Sequence, residues 1–139
     1  MASTKEKMID RKYIREIGKN YLKMELARRG VLGYRLPSGF GYDFLLSNNL
    51  KITLRVSTLA TSERKHEDKT YSYTKWGFNS IDKSDCDFFV LICLGSDLEI
   101  ERTYIVPSDK MIDKENIVVY NESDKDLYST YLNKWESIS

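Results

Sequence analysis

Residues 41–58 read GYDFLLSNNLKITLRVST. Two apolar runs, YDFLLS (42–47) and KITLRVSTLA (51–60), stand on either side of Asn48 and Asn49. Asparagine tolerates positive φ, so the pair predicts the turn of a β-hairpin. On the second run Ile52, Leu54 and Val56 alternate with Thr53, Arg55 and Ser57. Because strand side chains alternate faces with period two, Thr53, Arg55 and Ser57 form one polar row opposite the apolar set.

Upstream, residues 11–30 read RKYIREIGKNYLKMELARRG and place Ile14, Ile17, Tyr21 and Met24 at three- and four-residue intervals. With Asp10 as N-cap and Gly30 as the stop, they predict an amphipathic helix of about five turns. A short strand is expected over residues 31–36 before Pro37, followed by the turn-forming SGFG. Downstream, TSERKHEDKT (61–70) lacks periodicity and reads as a solvated loop, and YSYTKWGF (71–78) as an edge strand.

FFVLICL (88–94) is a continuous apolar run of the length expected for a central strand buried on both faces. IERTYIVP (100–107) and ENIVVY (115–120) read as two further strands. In the tail, Ser123 and Asp126 form a capping-box-like start. Leu127 or Tyr128, Tyr131 or Leu132, and Trp135 follow at helical spacing, predicting a closing helix. The expected architecture is α/β, a single domain over residues 1–139, with a mixed central sheet flanked by an N-terminal and a C-terminal helix.

Lys plus Arg total 22 against 21 Asp plus Glu, a net charge of +1, so the chain lacks the broad basic field of a strong non-specific DNA binder. Any nucleic-acid contact must be a local patch. Residues 1–13, MASTKEKMIDRKY, hold no apolar core of signal-peptide length, and no run approaches the roughly 18 apolar residues needed to cross a bilayer. A cytoplasmic protein with no membrane partner is expected. Cys86, Cys93 and the single His66 are too few for a Cys/His zinc site, so the cysteines read as buried reduced thiols.

The element order, together with IGKNYLKMELARRG, YDFLL and LRVST, resembles the PD-(D/E)XK nuclease superfamily, the restriction-endonuclease-like fold that includes Holliday-junction resolvases. The resemblance spans roughly residues 17–107 and implies a restriction-endonuclease-like core. In that superfamily a helix carries a glutamate, a hairpin strand opens with an aspartate, and the next strand carries an acid or glutamine, a spacer and a lysine. Here the resemblance places Lys19, Asp43, Arg55 and Ser57 at those four positions, so only the aspartate is retained. Mg²⁺ is a hard cation that wants near-octahedral oxygen ligands, and an arginine in a ligand position would repel it. A salt bridge from Asp43 to Arg55 or Lys19 is the expected replacement for a metal.

These readings imply a catalytically degenerate homologue that acts by binding, without a cofactor. The expected ligand is DNA or another nucleic acid, held by Lys19, Arg55, Arg64, Lys65, Lys69 and Lys75, with Tyr71, Tyr73 and Trp76 interleaved. Glu63, Glu67 and Asp68 dilute that basic segment. Two alternatives stand beside this reading. One is an active endonuclease with Mg²⁺ or Mn²⁺ on Asp43 and ligands relocated to Glu25, Glu63 or Glu67. The other is a protein-interaction module, a homodimer through exposed aromatics.

Overall fold

The computed structural model describes residues 10–121 and 127–139. Helix α1 (Arg11–Arg28) starts at Asp10, whose carboxylate accepts the Lys12 N–H at 3.0 Å and so satisfies a donor that has no partner within the helix. It ends in a Schellman turn in which Gly30 N–H bonds Ala27 C=O and Val31 N–H bonds Leu26 C=O. Gly30 sits at φ 79°, where a side chain would be strained. Gly18, Leu22 and Leu26 are buried, with Ile14, Ile17 and Tyr21 packed beside them. Met24, expected on this face, is exposed instead, because it lies about 200° around the helix from Leu22.

Eight strands follow among the described residues: β1 (Gly33–Arg35), β2 (Phe44–Leu46), β3 (Lys51–Thr58), β4 (Ala60–His66), β5 (Lys69–Phe78), β6 (Phe88–Leu94), β7 (Ile100–Pro107) and β8 (Ile117–Tyr120). A five-stranded sheet has the order β1-β2-β3-β6-β7, with β3 and β6 parallel and the other neighbours antiparallel. A separate three-stranded antiparallel sheet has the order β4-β5-β8. The chain is thus α/β with a mixed central sheet, and the predicted hairpin forms around Asn49 at φ 72°.

Strand β6 explains why FFVLICL is apolar at every position. Val90, Ile92 and Leu94 point into a core shared with Leu22 and Leu26 of α1, while Phe89, Leu91 and Cys93 point into a second core with Trp76, Phe78, Ile117 and Val119 of the three-stranded sheet. The central sheet therefore lies between a helix and a second sheet, and β6 is buried on both its faces. Gly18 permits the helix side of this packing, since a Cβ there would collide with a Val56 methyl group on β3.

Besides Met24, three expectations change. Residues 61–70 form most of a β-hairpin rather than a loop, with His66 opposite Lys69 and a two-residue turn of Glu67 and Asp68. Residues 71–78 lie in β5, the middle strand of its sheet and not an edge. The closing helix is replaced by two short 3₁₀ turns, Ser129–Tyr131 and Trp135–Ser137, separated by Asn133 at φ 54°. The proposed cap at Ser123 and Asp126 lies outside the described residues. Tertiary contacts set this tail: Tyr104 bridges Leu132, Asn133 N–H bonds Thr103 C=O at 2.8 Å, and Trp135 and Ile138 are buried against Tyr21 and the α1 core. An isolated helix this short is marginal, so those contacts decide.

Candidate functional site

Strand β2 pairs with β3 only at Lys51 and Ile52, which leaves the next turn of β3's edge without a neighbouring strand. Asp43 fills that gap. Its N–H bonds Ile52 C=O at 2.9 Å, and its carboxylate Oδ2 accepts the Leu54 N–H at 2.8 Å in place of a ladder bond. Beyond this cap, the edge of β3 from Leu54 to Thr58 forms the floor of a cleft of about 540 Å³ between α1 and the end of β5. A second hollow of about 360 Å³ adjoins it and shares Arg15, Lys19, Asp43 and Arg55 with the first.

Arg55 stands at the junction of the two. A guanidinium carries five N–H donors, and five acceptors surround this one. Nε donates to Asn79 C=O at 3.3 Å, and one terminal nitrogen to Leu54 C=O at 3.0 Å with Asp43 Oδ2 at 3.5 Å. The other terminal nitrogen faces Ser80 C=O and Ser84 Oγ, both at 3.3 Å. The Asp43–Arg55 ion pair is therefore present, and the arginine also ties β3 to the segment entering β6. Ser57 makes a parallel tie, its hydroxyl accepting the Gly77 N–H at 3.2 Å and so linking β3 to β5. Lys19 turns to Glu16 at 3.8 Å, and Arg35 reaches the same Glu16 oxygen at 3.3 Å.

Of the residues singled out from sequence, Lys19, Asp43, Arg55 and Ser57 meet at this cleft. Arg64, Lys65, Lys69 and Lys75 do not line it and lie along the β4–β5 hairpin. Neither Glu25, paired with Arg28 at 3.1 Å, nor Glu63 and Glu67 of the hairpin lines either hollow. Sequence reading passed over Arg11, Arg15 and Arg35, which complete the cationic wall. The signal was there: Arg11, Arg15 and Lys19 are spaced four apart, which sets them along one side of a helix.

Among the described residues, five cationic side chains thus line the two hollows against one lining carboxylate, Asp43, with Lys19 and Arg35 also paired to Glu16 beside them. That carboxylate already accepts a backbone N–H and a guanidinium on the same oxygen. Among the described residues no group of three or more His, Cys, Asp or Glu side chains converges. The charge of this lining complements an anion, since its carboxylate is already engaged and its remaining side-chain charges are cationic. Beneath the hollow, the half-buried Cys86 thiol lies against Thr53, and burial raises its pKa above the ordinary thiol range; Asp87 adds to the rise, while Thr53 and Arg55 oppose it.

No family description and no curated protein matches the chain. No helix among the described residues is long and apolar enough to cross a membrane.

Proposed function

We propose that this protein is a degenerate PD-(D/E)XK-type domain that binds nucleic acid through the cleft between α1 and β3 and does not hydrolyse it. The observation that carries this reading is the Asp43–Arg55 pair at 3.5 Å, in which an arginine occupies the space around the carboxylate that a nuclease of this type would give to Mg²⁺. Around the pair, Arg11, Arg15, Lys19 and Arg35 offer charge suited to phosphate oxygens. Arg55 and Ser57 hold the cleft's shape, and the helix-borne cations contact the ligand. Cys86 and Cys93 form no disulfide, which suits a reducing cytoplasmic setting.

The test joins binding and cleavage on the same labelled duplex, single-stranded and branched DNA, with Mg²⁺ or Mn²⁺ present. Binding that weakens in Arg15→Gln and Lys19→Gln, with every substrate left intact, is the expected result. Cleavage that is lost in Asp43→Ala would overturn the reading in favour of an active nuclease.

A further inference from the structure

Residues paired directly across an antiparallel ladder project to the same side of the sheet. The register sets Arg64 opposite Tyr71, His66 opposite Lys69, and Ser62 opposite Tyr73. Lys75 lies between Ala60 and Tyr120. Period-two alternation then sorts the second sheet into two faces. Trp76, Phe78, Ile117 and Val119 point inward to the core, and Glu63 and Lys65 fall on that same side. The outward face carries Tyr71, Tyr73 and Tyr120 with Arg64, His66, Lys69 and Lys75.

The segment's acidic residues are thereby removed from this face. Glu67 and Asp68 occupy the hairpin turn and Glu63 points to the other side, so no position of β4, β5 or β8 on the outward face holds a carboxylate. Tyr71 and Tyr120 are 51% and 48% exposed, which leaves their rings available to a partner. The Tyr73 and Tyr120 rings lie 5.8 Å apart, and the Lys75 ammonium stands 5.9 Å from the Tyr73 ring. Tyr71 precedes Tyr73 by two residues on the same strand, a spacing of about 6.6 Å.

We propose that this tyrosine-bearing outer face of β4-β5-β8 is a platform for single-stranded nucleic acid, with bases stacked on Tyr71, Tyr73 and Tyr120 and phosphates on Arg64, Lys69 and Lys75. The proposal rests on the nucleic-acid reading of the cleft and assigns the strandedness of its ligand. In a duplex the base faces are already stacked on one another and closed to side chains, whereas a single strand offers them to aromatic rings. Gly77 joins the two regions. It lies on the outward face of β5, it lines the cleft, and a Cβ built there meets nothing within 4 Å. A strand lying on the tyrosines can pass over Gly77 into the cationic cleft.

The test uses the full chain and anisotropy of a labelled oligothymidylate of about 16 nucleotides, beside a duplex of equal length. Loss of one stacking ring by Tyr71→Ala or Tyr73→Ala should weaken single-strand binding roughly fivefold or more. Tyr71→Phe and Tyr73→Phe, which keep the ring, should retain it, and duplex affinity should not move. Gly77→Glu, which adds a carboxylate in open space, should also weaken single-strand binding while the protein stays folded by circular dichroism. Unchanged single-strand binding in both Tyr→Ala variants, with loss in Lys19→Gln, would overturn the platform and leave the cleft. Equal loss for duplex and single strand would overturn the strand selectivity. A wild type that binds neither, but binds anionic phospholipid vesicles in a tyrosine-dependent way, would overturn both readings.

Discussion

Replacing Arg55 tests whether the cleft is built around its guanidinium. Four of its hydrogen bonds go to acceptors on β3 and on the 79–84 segment, one at 3.0 Å and three at 3.3 Å. Well-formed hydrogen bonds to a charged group contribute about 1.5–3 kcal/mol. These are long, and the side chain is 28% exposed, so roughly 0.5 kcal/mol each is the better figure. The Asp43 pair, with its carboxylate partner 42% exposed, adds about 0–1 kcal/mol. Arg55→Ala should therefore cost about 2–3 kcal/mol. Arg55→Lys keeps the charge but loses the planar fork, and should cost about 1–2 kcal/mol.

Urea and thermal unfolding read these values, with a melting-temperature fall of about 6–12 °C for the alanine variant. Hydrogen exchange localises the effect, since amides of residues 79–84 should lose protection while those of α1 keep it. Both variants unfolding at the wild-type midpoint would refute the tie. Loss of protection spread evenly over the chain would refute its local character.

Gly18→Ala should destabilise by about 1–2 kcal/mol in urea unfolding despite alanine's better helix propensity, because the new Cβ meets Val56, and Val56→Ala in the same chain should restore part of the loss. Gly30→Ala should cost about 1 kcal/mol for placing a side chain at φ 79°, with no effect on nucleic-acid binding in anisotropy titrations. The Cys86 thiol has a folded pKa above its unfolded value, so its contribution to stability is complete below the unfolded pKa of about 8.5 and is lost as pH rises through the folded one. Stability should accordingly decline above about pH 8.5 by a component that Cys86→Ala removes, as followed by denaturation midpoints across alkaline pH.

The parts of the fold legible in sequence are those where local pattern and tertiary burial agree. FFVLICL has the length and unbroken apolar character of a strand covered on both sides, and Asp10 and Gly30 bracket α1 by capping chemistry that is local to the chain. The β4–β5 hairpin was not legible for two reasons. Its turn, Glu67 and Asp68, lacks the glycine or asparagine that announces a tight turn, and Glu67 is held at φ 58° regardless. Its outer half is exposed on both faces, so no alternation of apolar residues marks it as strand. The tail failed in the opposite direction: its apolar spacing resembles a helix, but Trp135 and Ile138 are placed by the core they fill.

At the site, Arg55 and Ser57 could be brought together from sequence because period-two alternation sets them on one side of β3, and the resemblance added Asp43, which pairs with Arg55. That Arg55 has acceptors for all five donors was not legible, since three of them arrive from residues 79–84 through the tertiary fold. Arg35 joins the wall only through the packing of β1 and β2 beside α1, a relation no spacing encodes.

The most direct measurement is the salt dependence of binding to a labelled single strand in the presence of Mg²⁺, with the same samples run on a denaturing gel. Contact by three or four cleft cations requires log affinity to fall against log salt with a slope of about −2 to −3, and by more if the hairpin's cations also contribute. Arg15→Gln or Lys19→Gln should flatten that slope by roughly 0.7 each while the oligonucleotide stays intact. A flat salt dependence, or a strand cut by the wild type and spared by Asp43→Ala, would contradict the proposal that the cleft binds nucleic acid without hydrolysing it.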